Sequence, residues 1–111
     1  MMLSQSVKQI SVEDVNQSVL DEKQVVLLDV RTPGEYERGH IKNSINVPVD
    51  DLEIKIGEAI PDKSKTVYAY CLSGSRSNVA VNILSQLGYG AAFSMANGLL
   101  KWRANKFELV S

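Results

Sequence analysis

Cysteine and histidine are almost missing from this sequence. Cys71 is the only cysteine and His40 the only histidine among its 111 residues. A single cysteine cannot form an internal disulfide, which favours a reducing, cytoplasmic setting. One cysteine and one histidine also fall short of the ligand set of a typical zinc site. We therefore predict no metal centre.

Long apolar runs and strong charge are missing as well. No apolar run approaches the ~20 residues that a membrane span needs, and residues 1–6 lack the basic and apolar segments of a signal peptide. The formal net charge is −1, and lysines and arginines form no basic run or stripe. These absences argue against membrane insertion and nucleic-acid binding.

The motifs of several enzyme classes are also lacking. There is no G-x-x-x-x-G-K-[ST] and no G-x-G-x-x-G, so phosphate-cradling glycine loops of these kinds are excluded. The carboxylates are dispersed along the chain, which gives no support for hydrolysis by paired acids.

The composition that remains is that of a globular protein. Hydrophobic residues make up 44% and charged residues 23% of the chain. No linker, internal repeat or low-complexity segment interrupts it. A chain of this length and composition is expected to form a single domain, residues 1–111, with one hydrophobic core.

Strand and helix patterns alternate along the whole chain. Strands are expected at 7–10, 25–30, 44–48, 66–70 and 91–96. Helices are expected to begin near Ser11, Thr32, Asp50, Ser77 and Leu99. This alternation predicts an α/β domain with a mostly parallel sheet and helices on both faces. Residues 107–110 are expected to pair with an edge of the sheet.

Local residue choices specify several helix ends and faces. Ser11 and Thr32 are predicted N-caps followed by an acid three residues later, and Asp50, Ser75 and Ser77 are candidate caps. The helical periodicity predicts three buried faces. Their members are Val12, Val15, Val19 and Leu20; Leu52, Ile56, Ala59 and Ile60; and Val79, Ala80, Ile83, Leu84 and Leu87.

Cys71 stands where a reactive thiol is favoured. It follows an apolar strand, and a glycine-bearing loop and a helix pattern come directly after it. Loop N–H groups and the positive end of a helix dipole converge at such a point, which lowers the pKa of a thiol and stabilises an anion on the sulfur. Gly74 allows the loop a positive φ. A structural thiol in the core is the alternative interpretation.

Two further side chains are candidates near this loop. Arg76, with four residues between it and Cys71, could bind an anionic substrate or could secure the loop by pairing with an acid such as Asp29. A cysteine–histidine pair with His40 is conceivable. However, His40 lies in a different segment, and we expect it to be structural or exposed.

Three motifs together resemble the rhodanese-like domain family. Residues 28–41 with 45–48, LDVRTPGEYERGHI and INVP, resemble its amino-proximal signature, and residues 70–77, YCLSGSRS, resemble its active-site loop. Asn97-Gly98 followed by Trp102 resembles the carboxy-proximal Gly-Gly…Trp motif. The resemblance covers nearly the whole chain and implies a three-layer domain with a five-stranded, mainly parallel sheet.

The resemblance also implies a chemistry. Cys71 would take a sulfane sulfur as a persulfide from a donor such as thiosulfate and pass it to cyanide or a thiol, with thioredoxin-like or sulfur-carrier proteins as possible partners. No metal or organic cofactor is needed. The persulfide would rest in the loop formed by Leu72, Ser73, Gly74, Ser75, Arg76 and Ser77. Asp29 and Arg31 would serve as internal ion pairs or loop support.

Loop length distinguishes this function from a related one. In the family's phosphatase relatives five residues separate the cysteine from the arginine, whereas four do so here. A smaller ring suits a single sulfur better than a phosphate. A non-catalytic sulfur-delivery or regulatory module is the main alternative, and a phosphatase or arsenate reductase is less favoured.

The chain departs from the family pattern at two places. Asn97 replaces the first glycine of the Gly-Gly motif, and Asn43-Ser44 stands where Gly-Ala is usual. Asparagine tolerates a left-handed backbone. Neither departure touches the expected chemistry.

Overall fold

The computed structural model describes residues 7–111; residues 1–6, where a signal peptide was not expected, lie outside that range. The strands are β1 (Gln9–Ile10), β2 (Val26–Asp29), β3 (Ile45–Asn46), β4 (Val67–Tyr70) and β5 (Ala92–Met95). The helices are α1 (Val12–Leu20), α2 (Pro33–Glu37), α3 (Leu52–Ala59), α4 (Ser75–Gln86) and α5 (Gly98–Ala104), with a 3₁₀ turn at Val49–Asp51.

The five strands form one sheet in the order β1-β5-β4-β2-β3, and all four pairings in the described part of the chain are parallel. This confirms the predicted architecture. Strand β4 is central, between β5 and β2. Asp29 pairs with Tyr70 at the carboxyl ends of β2 and β4, so Cys71 leaves the sheet beside the end of β2.

Helices cover both faces of the sheet. Neighbouring strand residues point to opposite faces, and Leu27 and Leu28 accordingly belong to different core clusters. One cluster joins the sheet to α3 and α4 and includes Leu28, Leu52, Ile56, Leu84 and Cys71. The other joins it to α1 and α5 and includes Leu27, Val15, Tyr70, Leu99 and Trp102.

The first two helix starts form as the sequence predicts. The Ser11 hydroxyl accepts a hydrogen bond from the N–H of Asp14 at 3.0 Å. At α2 the capping box is reciprocal: Thr32 Oγ1 accepts from Glu35 N at 3.3 Å, and Glu35 Oε1 accepts from Thr32 N at 3.0 Å. Glu35 is therefore held in place by the start of α2.

The later helix starts differ from the prediction. Asp50 lies inside the 3₁₀ turn, Asp51 occupies the N-cap of α3, and no described side chain caps that helix. Helix α4 begins at Ser75, two residues earlier than expected, with Gly74 as its N-cap at φ 109°. Neither Ser75 nor Ser77 is a cap, because the left-handed Gly74 backbone turns the chain directly into the helix.

Fewer residues of each helix are buried than the sequence predicts. Leu20 is 67% exposed and Val79 54% exposed, and Ala59 is exposed as well. On α4, Val81 is buried instead. Each helix contacts the sheet along one line, so residues at the margin of an apolar stripe point to solvent.

The carboxy-terminal segment does not join the sheet. Val110 forms an isolated antiparallel bridge with His40, in the loop after α2, rather than with an edge strand. The indole N–H of Trp102 donates to Glu108 O at 3.0 Å, and the Trp102 and Phe107 rings pack edge to face. These contacts hold the segment against α5.

None of the helices within residues 7–111 combines the length and the apolar character that crossing a bilayer requires.

Candidate active site

Cys71 lies at the carboxyl end of the central strand and is fully buried. Its Sγ accepts a hydrogen bond from the N–H of Gly74 at 3.1 Å, and its S–H donates to Ser77 Oγ at 3.8 Å. The loop from 71 to 74 therefore closes over the sulfur and turns its amides inward.

The start of α4 adds further donors. The first intrahelical bond runs from Asn78 N to Gly74 O at 3.0 Å. The N–H groups of Ser75, Arg76 and Ser77 thus have no acceptor within the helix. Together with the helix dipole they form an anion-binding terminus on the side of Cys71.

Together, the hydrogen bonds to the sulfur lower the pKa of the Cys71 thiol in spite of its burial. Burial by itself raises the pKa of Cys71, since it disfavours the charged form. Hydrogen bonds from Ser77, Gly74 and Ser73 to the sulfur outweigh this effect, and the pKa is lowered overall. The arrangement therefore stabilises a thiolate within an otherwise apolar cluster.

Gly98 lets α5 approach the loop from the other side. Its φ is +57°, and a Cβ there would lie 2.6 Å from Cys71 O and still closer to Leu72 O. The approach allows Leu99 N and Leu100 N to donate to Cys71 O and Leu72 O, each at 3.0 Å. The backbone of the loop is thus fixed at its carbonyl side by α5.

Asn97, which stands in the place of a family glycine, has φ 65°. The left-handed backbone expected at this position is therefore present with an asparagine. Gly74 lies against it, since a Cβ on Gly74 would be 3.6 Å from Asn97 N.

Arg76 pairs with Glu35, not with Asp29. Arg76 Nη1 lies 2.7 Å from Glu35 Oε1, and Nη2 lies 3.1 Å from Oε2. The hydrogen bonds from Arg76 hold the pKa of Glu35 at about 2, against the raising effect of burial and with help from Thr32. The pKa of Arg76 is raised mainly by the same contact. The cation of the loop is thus tied to α2.

Asp29 and Arg31 form a buried ion pair beneath the site. Arg31 Nη2 lies 2.7 Å from Asp29 Oδ2 and donates to Gly39 O at the same distance. Burial lowers the pKa of Arg31, but the contact with Asp29 more than offsets this and raises it. Asn46 Nδ2 donates to the carbonyls of both residues, at 3.0 and 2.9 Å. The pair joins the end of β2 to the loop after α2.

The side chain of His40 contacts Tyr36, in its own segment. Its Nδ1 lies 2.7 Å from Tyr36 O, and its ring stacks on the Tyr36 ring with centroids 3.7 Å apart. Its backbone pairs with Val110. A structural role is consistent with these contacts.

The remaining loop residues differ in exposure. Ser73 and Ser75 are exposed, Leu72 is half-buried, and Ser77 is fully buried behind the sulfur. A groove lined by Thr32, Pro48, Val49 and Asp50 reaches Arg76 at the edge of the loop.

Sequence reasoning missed two residues near the site. Glu35 was recognised only as a capping acid, and its position 41 residues from Arg76 gave no sign of their pairing. Ser94 is fully buried, and its Oγ lies 2.7 Å from Ser77 Oγ. A lone polar residue inside the apolar stretch 91–96 was the available signal for Ser94.

Fold and site together define a class: a parallel α/β domain whose central strand delivers a cysteine into an anion-stabilising loop. The sequence profile of the Rhodanese-like domain family matches residues 11–105. The chain belongs to the rhodanese-like domain family.

Several proteins similar to this chain are named as sulfurtransferases or rhodanese-related proteins. A sulfurtransferase of Allochromatium vinosum is 34% identical over 105 residues, which cover 95% of this chain and 96% of that protein. The thiosulfate:glutathione sulfurtransferase of Saccharomyces cerevisiae is 35% identical over 109 residues and covers 87% and 78% of the two chains. The crystal structure of a rhodanese-related protein from Thermoplasma volcanium superposes with a TM-score of 0.81 at 33% identity, covering 93% and 97%. These relatives support sulfur transfer as the general activity of the domain.

Proposed function

We propose that this protein is a sulfurtransferase that carries a sulfane sulfur as a persulfide on Cys71. The observation that carries the proposal is the 3.1 Å hydrogen bond from Gly74 N to Cys71 Sγ at the start of α4. A sulfur held there is stabilised as an anion, first as thiolate and then as persulfide.

The first half-reaction loads the loop. The thiolate of Cys71 attacks the outer sulfur of a donor such as thiosulfate, and a new S–S bond forms. The S–S bond of the donor breaks, and sulfite leaves with the electron pair. The negative charge passes to the terminal sulfur of the persulfide, which rests among the amides of residues 72–77.

The second half-reaction unloads it. A nucleophile, cyanide or a thiolate, attacks the terminal sulfur, and the Cys71 thiolate leaves. Electrons balance within each displacement, so neither step calls for a metal or an organic cofactor. Two separate displacements through a covalent intermediate give ping-pong kinetics.

The size of the loop supports sulfur over phosphate. Only four residues separate Cys71 from Arg76, and Arg76 is already paired with Glu35. A phosphoryl group would have to sit inside the loop and would need both a wider ring of amides and a free guanidinium, whereas only the outer sulfur of thiosulfate has to enter it. In this proposal Arg76 supports the loop and contributes only part of its charge to an anionic donor.

In this proposal the acceptor is cyanide, a small thiol or the thiol of a thioredoxin-like or sulfur-carrier protein. The groove beside Arg76 is where an acceptor would approach the loop. The cytoplasmic location predicted from the single cysteine stays a prediction.

The test is to incubate the protein with thiosulfate and measure its intact mass. We expect a gain of one sulfur atom in the wild type and none in Cys71→Ser. Added cyanide should then release thiocyanate and restore the original mass. An unchanged wild-type mass together with no thiocyanate would contradict the proposal.

Two further assays separate the alternatives. Hydrolysis of p-nitrophenyl phosphate that is lost in Cys71→Ser would favour a phosphatase instead. A tight protein partner that is retained equally by wild type and Cys71→Ser, without sulfur loading, would favour a binding module.

A further inference from the structure

A second buried hydroxyl lies behind the thiol, on a strand outside the loop. Ser94 belongs to β5, the neighbour of β4, and is fully buried. Its Oγ lies 2.7 Å from Ser77 Oγ, and no other side-chain hydrogen bond of Ser94 is present within residues 7–111. Ser77 Oγ in turn lies 3.8 Å from Cys71 Sγ. Two hydroxyls thus lead from the core to the sulfur.

The single proton of the Ser77 hydroxyl has three possible acceptors. These are Gly74 O at 3.1 Å, Ser94 Oγ at 2.7 Å and Cys71 Sγ. While Cys71 is a thiol, its S–H donates to Ser77 Oγ. Ser77 then donates to the Gly74 carbonyl, which can only accept. Ser94 is left to donate to Ser77.

Ionisation of Cys71 changes one bond in this arrangement. The sulfur becomes an acceptor, and the Ser77 proton turns from Gly74 O to Sγ. Gly74 O keeps the helix bond from Asn78 N at 3.0 Å, so no buried carbonyl loses its last partner. Ser94 continues to donate to Ser77 Oγ in both states.

We propose that Ser94 is a positioning residue, whose hydroxyl holds Ser77 Oγ as a donor directed at the anionic sulfur of Cys71. Ser94 acts through Ser77 and touches neither donor nor acceptor. The inference deepens the proposed function and rests on it for the persulfide. The thiolate part can be measured without any sulfur donor.

The electrostatics of the loop are consistent with this role. Burial raises the pKa of Cys71, yet the hydrogen bonds of the loop, including that of the Ser77 hydroxyl, lower it overall. A hydrogen bond from a hydroxyl to a charged acceptor is stronger than one to a neutral acceptor. Loss of Ser94 removes the donor that orients and polarises the Ser77 hydroxyl, so Ser77 becomes a weaker donor to the sulfur.

The test is a pH titration of the thiolate by its ultraviolet absorbance, with Cys71→Ser as the blank. This readout does not depend on reagent access to the buried sulfur. In Ser94→Ala we expect the apparent pKa of Cys71 to rise by about 0.5 to 1 unit, which leaves about three- to tenfold less thiolate at lower pH. Ser44→Ala is the matched control: Ser44 is also buried, and its Oγ lies 2.9 Å from Tyr70 OH. Its thiolate titration should match the wild type.

Further variants test whether Ser94 acts through Ser77. Ser77→Ala should raise the same pKa, and adding Ser94→Ala to it should change nothing more. Threonine and valine have the same shape, but only threonine carries a hydroxyl. Ser94→Thr should therefore keep the wild-type pKa of Cys71, and Ser94→Val should raise it. This pair repeats the comparison if Ser94→Ala fails to fold.

A wild-type titration curve for Ser94→Ala, or additive shifts in the double variant, would overturn the inference. Failure of the wild type to gain sulfur mass would instead count against the proposed function and leave the titration result standing.

Discussion

Arg76 and Glu35 set the charge that a sulfur donor meets at the loop. Their bidentate contact places a carboxylate directly on the guanidinium, so the local charge is close to balanced. The side chains remain 35% and 22% exposed, and solvent therefore moderates the strength of the pair. An anionic donor must share Arg76 with Glu35.

Glu35→Gln should change the preference among donors. Removal of the carboxylate charge should raise kcat/KM for dianionic thiosulfate about two- to fivefold relative to a monoanionic thiosulfonate. Steady-state kinetics with both donors measure the ratio. Arg76→Ala is the opposite control and should lower the same ratio. A fall in both activities without a change in ratio would assign Glu35 a structural role only.

Glu35 also gives the protein a component of acid sensitivity. Its pKa falls from 4.5 to about 2 on folding, so the folded state holds fewer protons on this group than the unfolded state does. The stabilisation is complete above pH 4.5 and is lost as the pH falls towards 2. Urea unfolding between these pH values should show a steeper loss of stability in the wild type than in Glu35→Gln. Parallel pH profiles would contradict this.

At the scale of elements, the contact of α5 with the loop depends on Gly98. A Cβ in Gly98→Ala would collide with the carbonyls of Leu72 and Cys71, and alanine would be strained at φ +57°. We expect a loss of about 3 kcal/mol in the free energy of unfolding and a thiol of raised pKa. Gly57→Ala is the control, because its Cβ would meet nothing within 4 Å in α3. It should leave the thiol unchanged and gain about 0.5 kcal/mol of stability.

Elements specified by neighbouring residues could be predicted from the sequence, and those specified at a distance could not. The caps at Ser11 and Thr32 depend on residues three positions away and formed as expected. The start of α4 depends on the backbone of Gly74. The sequence pattern predicted a helix start at Ser77, and so a loop two residues longer than the one observed. The partner of Arg76 lies 41 residues away and on another element, where periodicity carries no information.

The same distinction holds within the candidate site. Cys71, Gly74 and the loop length are visible in one short stretch of sequence, so the position of the anion-binding loop was predictable. Ser94 reaches Ser77 because α4 packs against β5. Hydroxyls brought together by the packing of a helix on a strand leave no mark beyond a polar residue in an apolar run.

On the scale of the whole molecule, the Asp29–Arg31 pair joins the sheet to the loop that carries Gly39. Asp29→Asn would leave the Arg31 charge buried without its carboxylate, and we expect a loss of about 3 to 5 kcal/mol in the free energy of unfolding. Chemical denaturation measures it. The exposed pair Lys55–Asp51 provides the control, and Asp51→Asn should change stability by less than about 0.5 kcal/mol. Equal effects of the two variants would show that burial does not matter here.

The hydrogen bonds from Leu99 N and Leu100 N to Cys71 O and Leu72 O have a consequence for biosynthesis. A ribosome releases residues 71–77 before residues 98–100, so the nascent chain holds the cysteine while the segment that closes its loop is still being made. During that interval the loop lacks two of its backbone donors, and we expect the pKa of Cys71 to lie closer to that of an ordinary cysteine. The lowered pKa of the thiol should therefore appear only once the carboxy-terminal part of the domain has been made and has folded.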